Sequence, residues 1–139
     1  MKRADTYRAR TYRDRVRSGH LSGYRVAVKE TDLMVYTASA MVETVRDSIL
    51  EHRAHIEGYI GANPAFAAAL VPWPPQELAP PVVQDMIRAA ALAGVGPMAA
   101  VAGAIAERVG RDLLIATPEV IVENGGDVFM KTASPATVG

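Results

Sequence analysis

Residues 21–36 read LSGYRVAVKETDLMVY, and this stretch decides the predicted fold. Tyr24, Val26 and Val28 alternate with small or charged neighbours, which is the pattern of a strand that buries one face. A polar turn follows, and residues 33–36 form an apolar run of strand length. We therefore predict that the first forty residues form an antiparallel meander.

The pattern changes after this stretch, where apolar residues begin to recur at every third or fourth position. The recurring residues are Met41, Val45, Ile49, Ile56 and Ile60. This spacing places them on one side of a helix over residues 38–60, which we expect to pack on the meander. Thr37 or Ser39 is the predicted N-terminal cap.

Three shorter helices are predicted further along the chain. They cover residues 64–70, 82–92 and 98–109. Asn63 precedes Pro64 and is expected to cap the first of them, because proline suits the first helical position. Gly110 is expected to end the last helix.

Two strand-like segments near the C-terminus, residues 119–123 and 127–131, are separated by Asn124, Gly125 and Gly126. The two glycines fit a type I′ hairpin turn, in which both central residues have positive φ. The predicted fold class is therefore α+β. It combines an N-terminal antiparallel meander, a helical block with a small-residue helix, and a C-terminal β-hairpin that joins the sheet.

The composition is that of one folded domain over residues 1–139, with 50% hydrophobic and 22% charged residues. The absence of cysteine excludes disulfides, thiolate metal sites and a cysteine nucleophile. Pro97 interrupts the uncharged, alanine-rich stretch 89–106, which predicts two short helices rather than a membrane span. No secretory leader is recognisable at the N-terminus, and we expect a cytoplasmic protein without a membrane partner.

The net charge of zero conceals two oppositely charged regions. Residues 1–30 hold nine Lys or Arg and three Asp or Glu, whereas the rest of the chain holds six and twelve. Residues 1–17 form a basic N-terminal strand or arm in which Tyr7 and Tyr12 lie among arginines. Such a segment can bind nucleic acid through phosphate contacts and stacking, but it is more often the solvated face of an edge strand. We favour the edge strand, so nucleic acid is the less favoured partner.

Residues 72–81 contain five prolines. They could form a recognition segment for a proline-binding groove or a stiff connection between two helices, with Trp73 against the core. We favour the connection.

His52 and His55 are three residues apart on the long helix and could share a face. A metal site needs further ligands, and none can be named from the sequence. We interpret both as satisfied surface or boundary histidines.

Residues 94–110 are unusually poor in bulky side chains. Gly94 and Gly96 precede Pro97, and small residues continue through Gly103. Such a helix lets another backbone or a flat ligand approach closely, and its N-terminus offers N–H groups to an anion. Tight packing on a sheet explains the same pattern. On the glycine spacing alone we favour the packed helix over a nucleotide site, because a dinucleotide fingerprint needs a preceding strand and a different spacing.

A second group of polar residues surrounds the hairpin turn. Glu123, Asn124 and Asp127 flank the two glycines, although a structural turn does not require them. Exposed backbone and three polar side chains at a strand end could also face a ligand. The structural and functional interpretations are equally supported here.

Four blocks of the sequence, in this order, resemble one protein family. They are Tyr12-Arg13, VAVKETDL at residues 26–33, GPMAAVAGAIAE at residues 96–107 and VIVENGGD at residues 120–127. They resemble the uncharacterised bacterial and archaeal family of ApbE-like proteins. That family is similar in fold to the FAD:protein FMN transferases, which use Mg²⁺ to move FMN from FAD onto a Ser or Thr hydroxyl of a flavoprotein.

The resemblance implies a flavin nucleotide site at the two glycine-bearing blocks. The cofactor-binding residues that it implies are Gly96, Pro97, Met98, Ala99, Gly103, Asn124, Gly125, Gly126 and Asp127. FAD or FMN, or a similar small molecule, is the implied ligand. The leading interpretation is a flavin- or nucleotide-binding ApbE-like domain; FMN transfer by a complete form of the domain is second, and a binding module that uses the basic arm is third.

The chain departs from the transferase pattern in two respects. It has no lysine in the small-residue segment, and nothing in it corresponds to the metal-binding Asp and Thr of the transferases. We therefore name no catalytic or metal-binding residue, and assign Mg²⁺ only to a complete form. Members of the family also look longer, and residues 136–139 resemble the opening of a further strand. We expect a C-terminally truncated domain whose open sheet edge favours a homo-oligomer.

Overall fold

The computed structural model describes residues 20–132 and has the predicted α+β class. Four antiparallel strands form one sheet in the order β1-β2-β3-β4. The strands are β1 (Ser22–Val28), β2 (Thr31–Thr37), β3 (Val120–Asn124) and β4 (Asp127–Lys131). As predicted, the C-terminal hairpin joins the sheet, because Val122 of β3 lies opposite Val35 of β2. The predicted basic strand or arm over residues 1–17 and the predicted strand opening at residues 136–139 lie outside the described residues.

Four α-helices form a block against the sheet. They are α1 (Val42–Ala62), α2 (Ala65–Ala68), α3 (Pro81–Ala93) and α4 (Val101–Leu113). A 3₁₀ turn, Pro97–Ala100, leads into α4. Both α1 and α4 contact the strands directly, and α3 packs on α1 and α4.

The main core lies between the sheet and the helices. Leu33, Val35 and Val122 from the strands, with Ile49 of α1 and Val109 of α4, are fully buried. Complete burial of a side chain of this size stabilises the fold by about 1.5–3 kcal/mol. The alternation in the strands and the stripe on α1 therefore face each other, as the sequence pattern predicts.

An aromatic cluster holds the proline-rich segment on the core. Phe66 is fully buried and packs edge-on against Tyr59 and Trp73, with ring centroids 4.9 and 5.3 Å away. The Trp73 indole N–H donates to the Tyr59 hydroxyl at 3.1 Å. Trp73 thus packs on the core in the connection between α2 and α3, as predicted.

The predicted caps of the first two helices are wrong. Thr37 is still part of β2, and its hydroxyl donates to the Ser39 carbonyl oxygen at 2.6 Å, so α1 begins later than predicted and has no side-chain cap. The helix predicted over residues 64–70 is shorter. Asn63 does not cap it, because its Nδ2 donates to the Tyr59 carbonyl oxygen at 3.1 Å and closes the end of α1.

Two predictions about glycines are also wrong. Gly110 does not end the last helix but lies buried within α4, where a Cβ atom would be 2.1 Å from Cδ2 of Phe129. Glycine there lets the phenylalanine ring of β4 pack against the helix backbone. In the hairpin turn, Gly125 has a φ of +62° whereas Gly126 has no positive φ. One left-handed residue at the first central position is typical of type II′ rather than type I′.

Within residues 20–132, no single helix has both the length and the apolar character needed to cross a membrane. Pro81–Ala93 and Pro97–Leu113 satisfy such a test only when taken together, and they are bent by 105° at the break between them.

Candidate ligand-binding site

The turn between β3 and β4 lies against the N-terminal half of α4. Asn124 donates from Nδ2 to the Ala102 carbonyl oxygen at 3.1 Å. A Cβ atom at Gly103 would lie 3.2 Å from Oδ1 of Asp127, so the absence of a side chain at this position lets Asp127 approach the helix. The structure thus brings the two glycine-bearing blocks together, with a groove next to each of these two contacts.

The first groove, here called the Met98 groove, has a volume of about 370 Å³. Its apolar residues are Ile56, Ile60, Met98, Val101, Ala102 and Ile105. Its polar residues include Glu30, Thr31, Arg53, Glu57 and Asn124. The apolar and polar residues of the groove together come from the β1–β2 turn, α1, the start of α4 and the end of β3. Ligand pockets in proteins have volumes of roughly 300–1,000 Å³ and combine an apolar wall with a few polar groups, so this groove has the size and composition of a small ligand site.

Arg53 organises the polar rim of the Met98 groove. Its guanidinium donates to Thr31 Oγ1 at 2.8 Å, to Glu30 at 2.7 Å and to Glu57 at 3.0 Å. Lys29 lies 3.7 Å from Glu57. The hydrogen bond from Arg53 is the main reason why the pKa of the Glu30 carboxyl lies below its usual value. Two cations therefore face two carboxylates, and this rim has no net charge.

Asn124 has hydrogen-bonding capacity left for a ligand. Its Nδ2 is used on the Ala102 carbonyl, whereas its Oδ1 accepts no hydrogen bond within residues 20–132. The side chain is half-buried at the edge of the apolar wall. A ligand that places an N–H donor at this edge can therefore bind Asn124 without displacing the bond that holds the turn.

The second groove, here called the Asp127 groove, is smaller, at about 280 Å³, and contains Asp85, Glu107 and Asp127. Arg108 donates to both carboxylate oxygens of Asp85, at 2.5 and 2.9 Å, and this hydrogen bonding raises the pKa of Arg108. In the described part of the chain, no group of three or more His, Cys, Asp or Glu side chains is placed to hold one ion.

Gly96 and Pro97 are used in packing. Both are buried, and a Cβ atom at Gly96 would lie 1.8 Å from the carbonyl oxygen of Ala69. The 3₁₀ turn also uses the Ala99 N–H, which donates to the Gly96 carbonyl oxygen at 3.2 Å. The start of α4 therefore offers fewer free N–H groups to an anion than the sequence indicates.

The other predicted site residues fall into three groups. Met98 and Asn124 line the Met98 groove, and Gly103 and Asp127 line the Asp127 groove. The third group is exposed and lines neither groove; it consists of Ala99, Gly125 and Gly126. The residues of the two blocks thus lie close together but face two adjoining grooves.

Sequence reasoning missed the contribution of α1 and the β1–β2 turn to the Met98 groove. Arg53 and Thr31 are distant in sequence from the glycine-bearing blocks, so nothing local connects them. One signal was available, because Arg53 directly follows His52 on the apolar stripe of α1. A charged side chain on a buried helix face needs polar partners, and such partners often surround a site.

We predicted His52 to be a satisfied surface or boundary histidine. It has a hydrogen-bond partner, but it is buried rather than at the surface. Its Nε2 lies 2.9 Å from Oδ2 of Asp112, and Ser48 donates to the same oxygen at 2.6 Å. The Nδ1 atoms of His52 and His55 are buried without a hydrogen-bond partner. These residues line neither groove described above, and the two bonds to Asp112 join α1 and α4.

The comparison with known proteins decides the family. A family model described as AbpE bacteria matches residues 13–139. The chain belongs to this family. The match extends over both glycine-bearing blocks.

Curated relatives of the AbpE bacteria domain are UPF0280 proteins of archaea. One from Methanopyrus kandleri is 43% identical over 116 residues, which cover 83% of this chain and 47% of the relative. Another, from Methanosarcina barkeri, is 37% identical over 114 residues, covering 81% and 45%. A third, from Methanocaldococcus jannaschii, is 34% identical over 116 residues, covering 83% and 47%. The chain spans about half the length of these curated relatives.

Proposed function

We propose that this domain binds a flavin, FAD or FMN, or a similar nucleotide ligand, with the flat ring system in the Met98 groove. The observation that carries the proposal is the position of Asn124 Oδ1, an open acceptor beside an apolar wall and the small-residue helix. The resemblance of both glycine-bearing blocks to ApbE-like proteins supports the same ligand class.

The groove suits a planar heterocycle with one polar edge. Met98 and Val101 are half-buried, so a ring that covers these two side chains removes apolar surface from water. Ile56 and Ile105 are almost fully buried and form the floor behind them. The pyrimidine edge of a flavin carries an N–H group between two carbonyl groups. In this proposal the N–H donates to Asn124 Oδ1, and Thr31 and Arg53 lie at the rim for the carbonyl groups.

The charge of the rim determines how much the phosphate groups contribute. Arg53 and Lys29 are both paired with carboxylates, so the rim offers a phosphate no excess positive charge. Because the start of α4 also presents few free N–H groups, the ring carries most of the binding energy. We therefore expect riboflavin and FMN to bind with similar affinity and with little dependence on salt.

The test is a fluorescence titration of riboflavin and of FMN with the purified chain and with the Ala102→Phe variant. Ala102 lines the Met98 groove, so the added ring fills the volume that the flavin requires. Ala54→Phe is the matched control, because Ala54 is an exposed position of α1 outside the groove. We expect quenching with the wild type and Ala54→Phe and its loss in Ala102→Phe. Absence of quenching in the wild type, or equal binding by all three, would contradict the proposal.

A further inference from the structure

A third groove, here called the Trp73 groove, lies between the proline-rich segment and α3. Its volume is about 670 Å³, larger than that of the other two, and it shares no residue with them. Its wall consists mainly of Trp73, Pro74, Pro75, Ile87, Ala91 and Leu92. The proposed flavin site does not account for this surface.

One leucine that lines the Trp73 groove and two leucines close to its residues in sequence are exposed. Leu92 lines it and is 92% exposed, Leu78 is fully exposed next to the lining residue Glu77, and Leu70 is 86% exposed just before the proline-rich segment. Soluble monomers rarely expose large contiguous apolar patches, and such patches are typical of interaction surfaces. The face therefore combines an apolar groove with protruding apolar side chains that such a groove could receive.

The groove also carries an acidic and a basic side chain that can each form an ion pair with another molecule. The Glu77 carboxylate forms no ion pair among the described residues. Arg88 donates to Asp85 at 2.8 Å, but Arg108 already holds both oxygens of that carboxylate. Arg88 is 70% exposed on the side chain and keeps donors for a further acceptor.

We propose that the Trp73 groove is the interface of a twofold-symmetric homodimer. In such an interface, a contact of residue i with residue j of the other copy occurs twice. Leu92 of each copy packs into the groove of the other, and Arg88 of each copy pairs with Glu77 of the other. The surface thus carries, for each copy, the charge opposite to that of the residue it meets on the other. This interface is distinct from the sheet edge at which the sequence predicted self-association.

A proline-rich peptide is the competing occupant, because grooves for such peptides are lined by aromatic side chains. Two observations favour a second copy. The Trp73 indole N–H already donates to Tyr59 and is not free for a peptide carbonyl. Leu92, which lines the groove, is also 92% exposed and protrudes from the surface, whereas a peptide site needs only the concave part.

The first test is sedimentation velocity on the whole chain and on Leu92→Asp. Because Leu92 is exposed in the monomer, we expect the variant to keep the unfolding temperature of the monomer while its dimer dissociation constant rises by about a hundredfold. Ile115→Asp is the control, because Ile115 is 87% exposed and lies outside the groove. We expect it to stay dimeric.

The second test is a charge exchange between Glu77 and Arg88. Each reversal alone, Glu77→Arg or Arg88→Glu, places like charges opposite each other across the dimer and should weaken it, and the double variant should restore it. A wild type that is monomeric at millimolar concentration overturns the proposal. Dissociation by Ile115→Asp but not by Leu92→Asp overturns it too, as does a monomer that binds a proline-rich peptide in this groove. Leu92→Asp is also titrated with flavin. This titration reports on the proposed flavin site alone, so failure of the dimer proposal can be distinguished from failure of the proposed function.

Discussion

The Met98 groove and the Trp73 groove differ in how their polar groups are placed. The smaller Met98 groove, at about 370 Å³, is assembled from four separate parts of the chain, and its charges are paired within the molecule. The Trp73 groove, at about 670 Å³, comes from residues 72–92, and its two spare charges point outward. Internal pairing around an apolar wall suits a small ligand. An exposed leucine beside a carboxylate without an ion pair and a guanidinium that shares its only carboxylate suits another protein surface. Volume alone would favour the Trp73 groove for a ligand, whereas we propose the Met98 groove.

The largest predicted effect is a loss of stability when Gly96, in the part of the chain that joins the two grooves, is substituted. Gly96 lies before Met98 and packs on the Ala69 carbonyl, just ahead of the proline-rich segment. A Cβ atom 1.8 Å from a backbone oxygen forces the backbone apart, so Gly96→Ala should lower the free energy of unfolding by about 3 kcal/mol. Urea denaturation measures this, and we expect both grooves to lose their function.

Gly61→Ala is the control for this substitution. A Cβ atom at Gly61, within α1, has no neighbour inside 4 Å, and replacing a helical glycine with alanine stabilises a helix by about 0.5–1 kcal/mol. If both variants unfold at the wild-type urea concentration, the tight packing of Gly96 is not what positions the grooves.

The next effect separates the two grooves from each other. Ala102→Phe should reduce flavin affinity by about a hundredfold, because a filled groove loses most of the apolar burial, and should leave the dimer intact. Leu92→Asp should weaken the dimer and leave the flavin affinity unchanged. Flavin titration and sedimentation on both variants measure this. Loss of both properties in either variant would show that the grooves are coupled rather than independent.

A smaller effect concerns the polar edge of the Met98 groove. Asn124→Ala removes both the proposed contact to the flavin and the bond to the Ala102 carbonyl, and should weaken flavin binding about tenfold. Asn124→Asp keeps an acceptor oxygen and should lose less. The ratio of the two dissociation constants, measured by calorimetry, distinguishes a ligand contact from a general disturbance of the turn, which would affect both variants equally.

The smallest effect is the pH dependence from Glu30. The pKa of its carboxyl is lowered in the folded state, first by the hydrogen bond from Arg53, so its contribution to stability is present above the unfolded pKa and is lost as pH falls through the folded value. Because Glu30 is exposed, the contribution is small. Comparison of the wild type with Glu30→Gln should show slightly higher stability for the wild type at neutral pH and no difference in strong acid. A difference that persists in acid would contradict the pairing.

Sequence patterns predicted the elements better than the contacts between them. Alternation in residues 21–36 and the stripe on α1 predicted the sheet and the long helix, because each depends on burial of one face. The role of Gly110 could not be predicted, because it depends on Phe129 in a strand distant along the chain. The cap at Thr37 was wrong because the hydroxyl bonds locally to Ser39.

The candidate site could be predicted only in part, because it also depends on contacts between residues that are distant along the chain. The resemblance of the two glycine-bearing blocks placed Met98 and Asn124 among the site residues, and the structure brings both into one groove. Local patterns gave no indication that Arg53 of α1 would join Thr31 at its rim. Nor did they show that Gly96 would be used in packing on Ala69.

The most direct test of the account is an amide NMR titration of the labelled chain with riboflavin. We predict shifts of the Met98, Val101 and Asn124 backbone amides and of the Asn124 side-chain amide, while the Trp73 indole N–H stays unchanged. Shifts centred on the Trp73 indole with an unchanged Asn124 side chain, or no shifts at all, would contradict the assignment of the ligand to the Met98 groove.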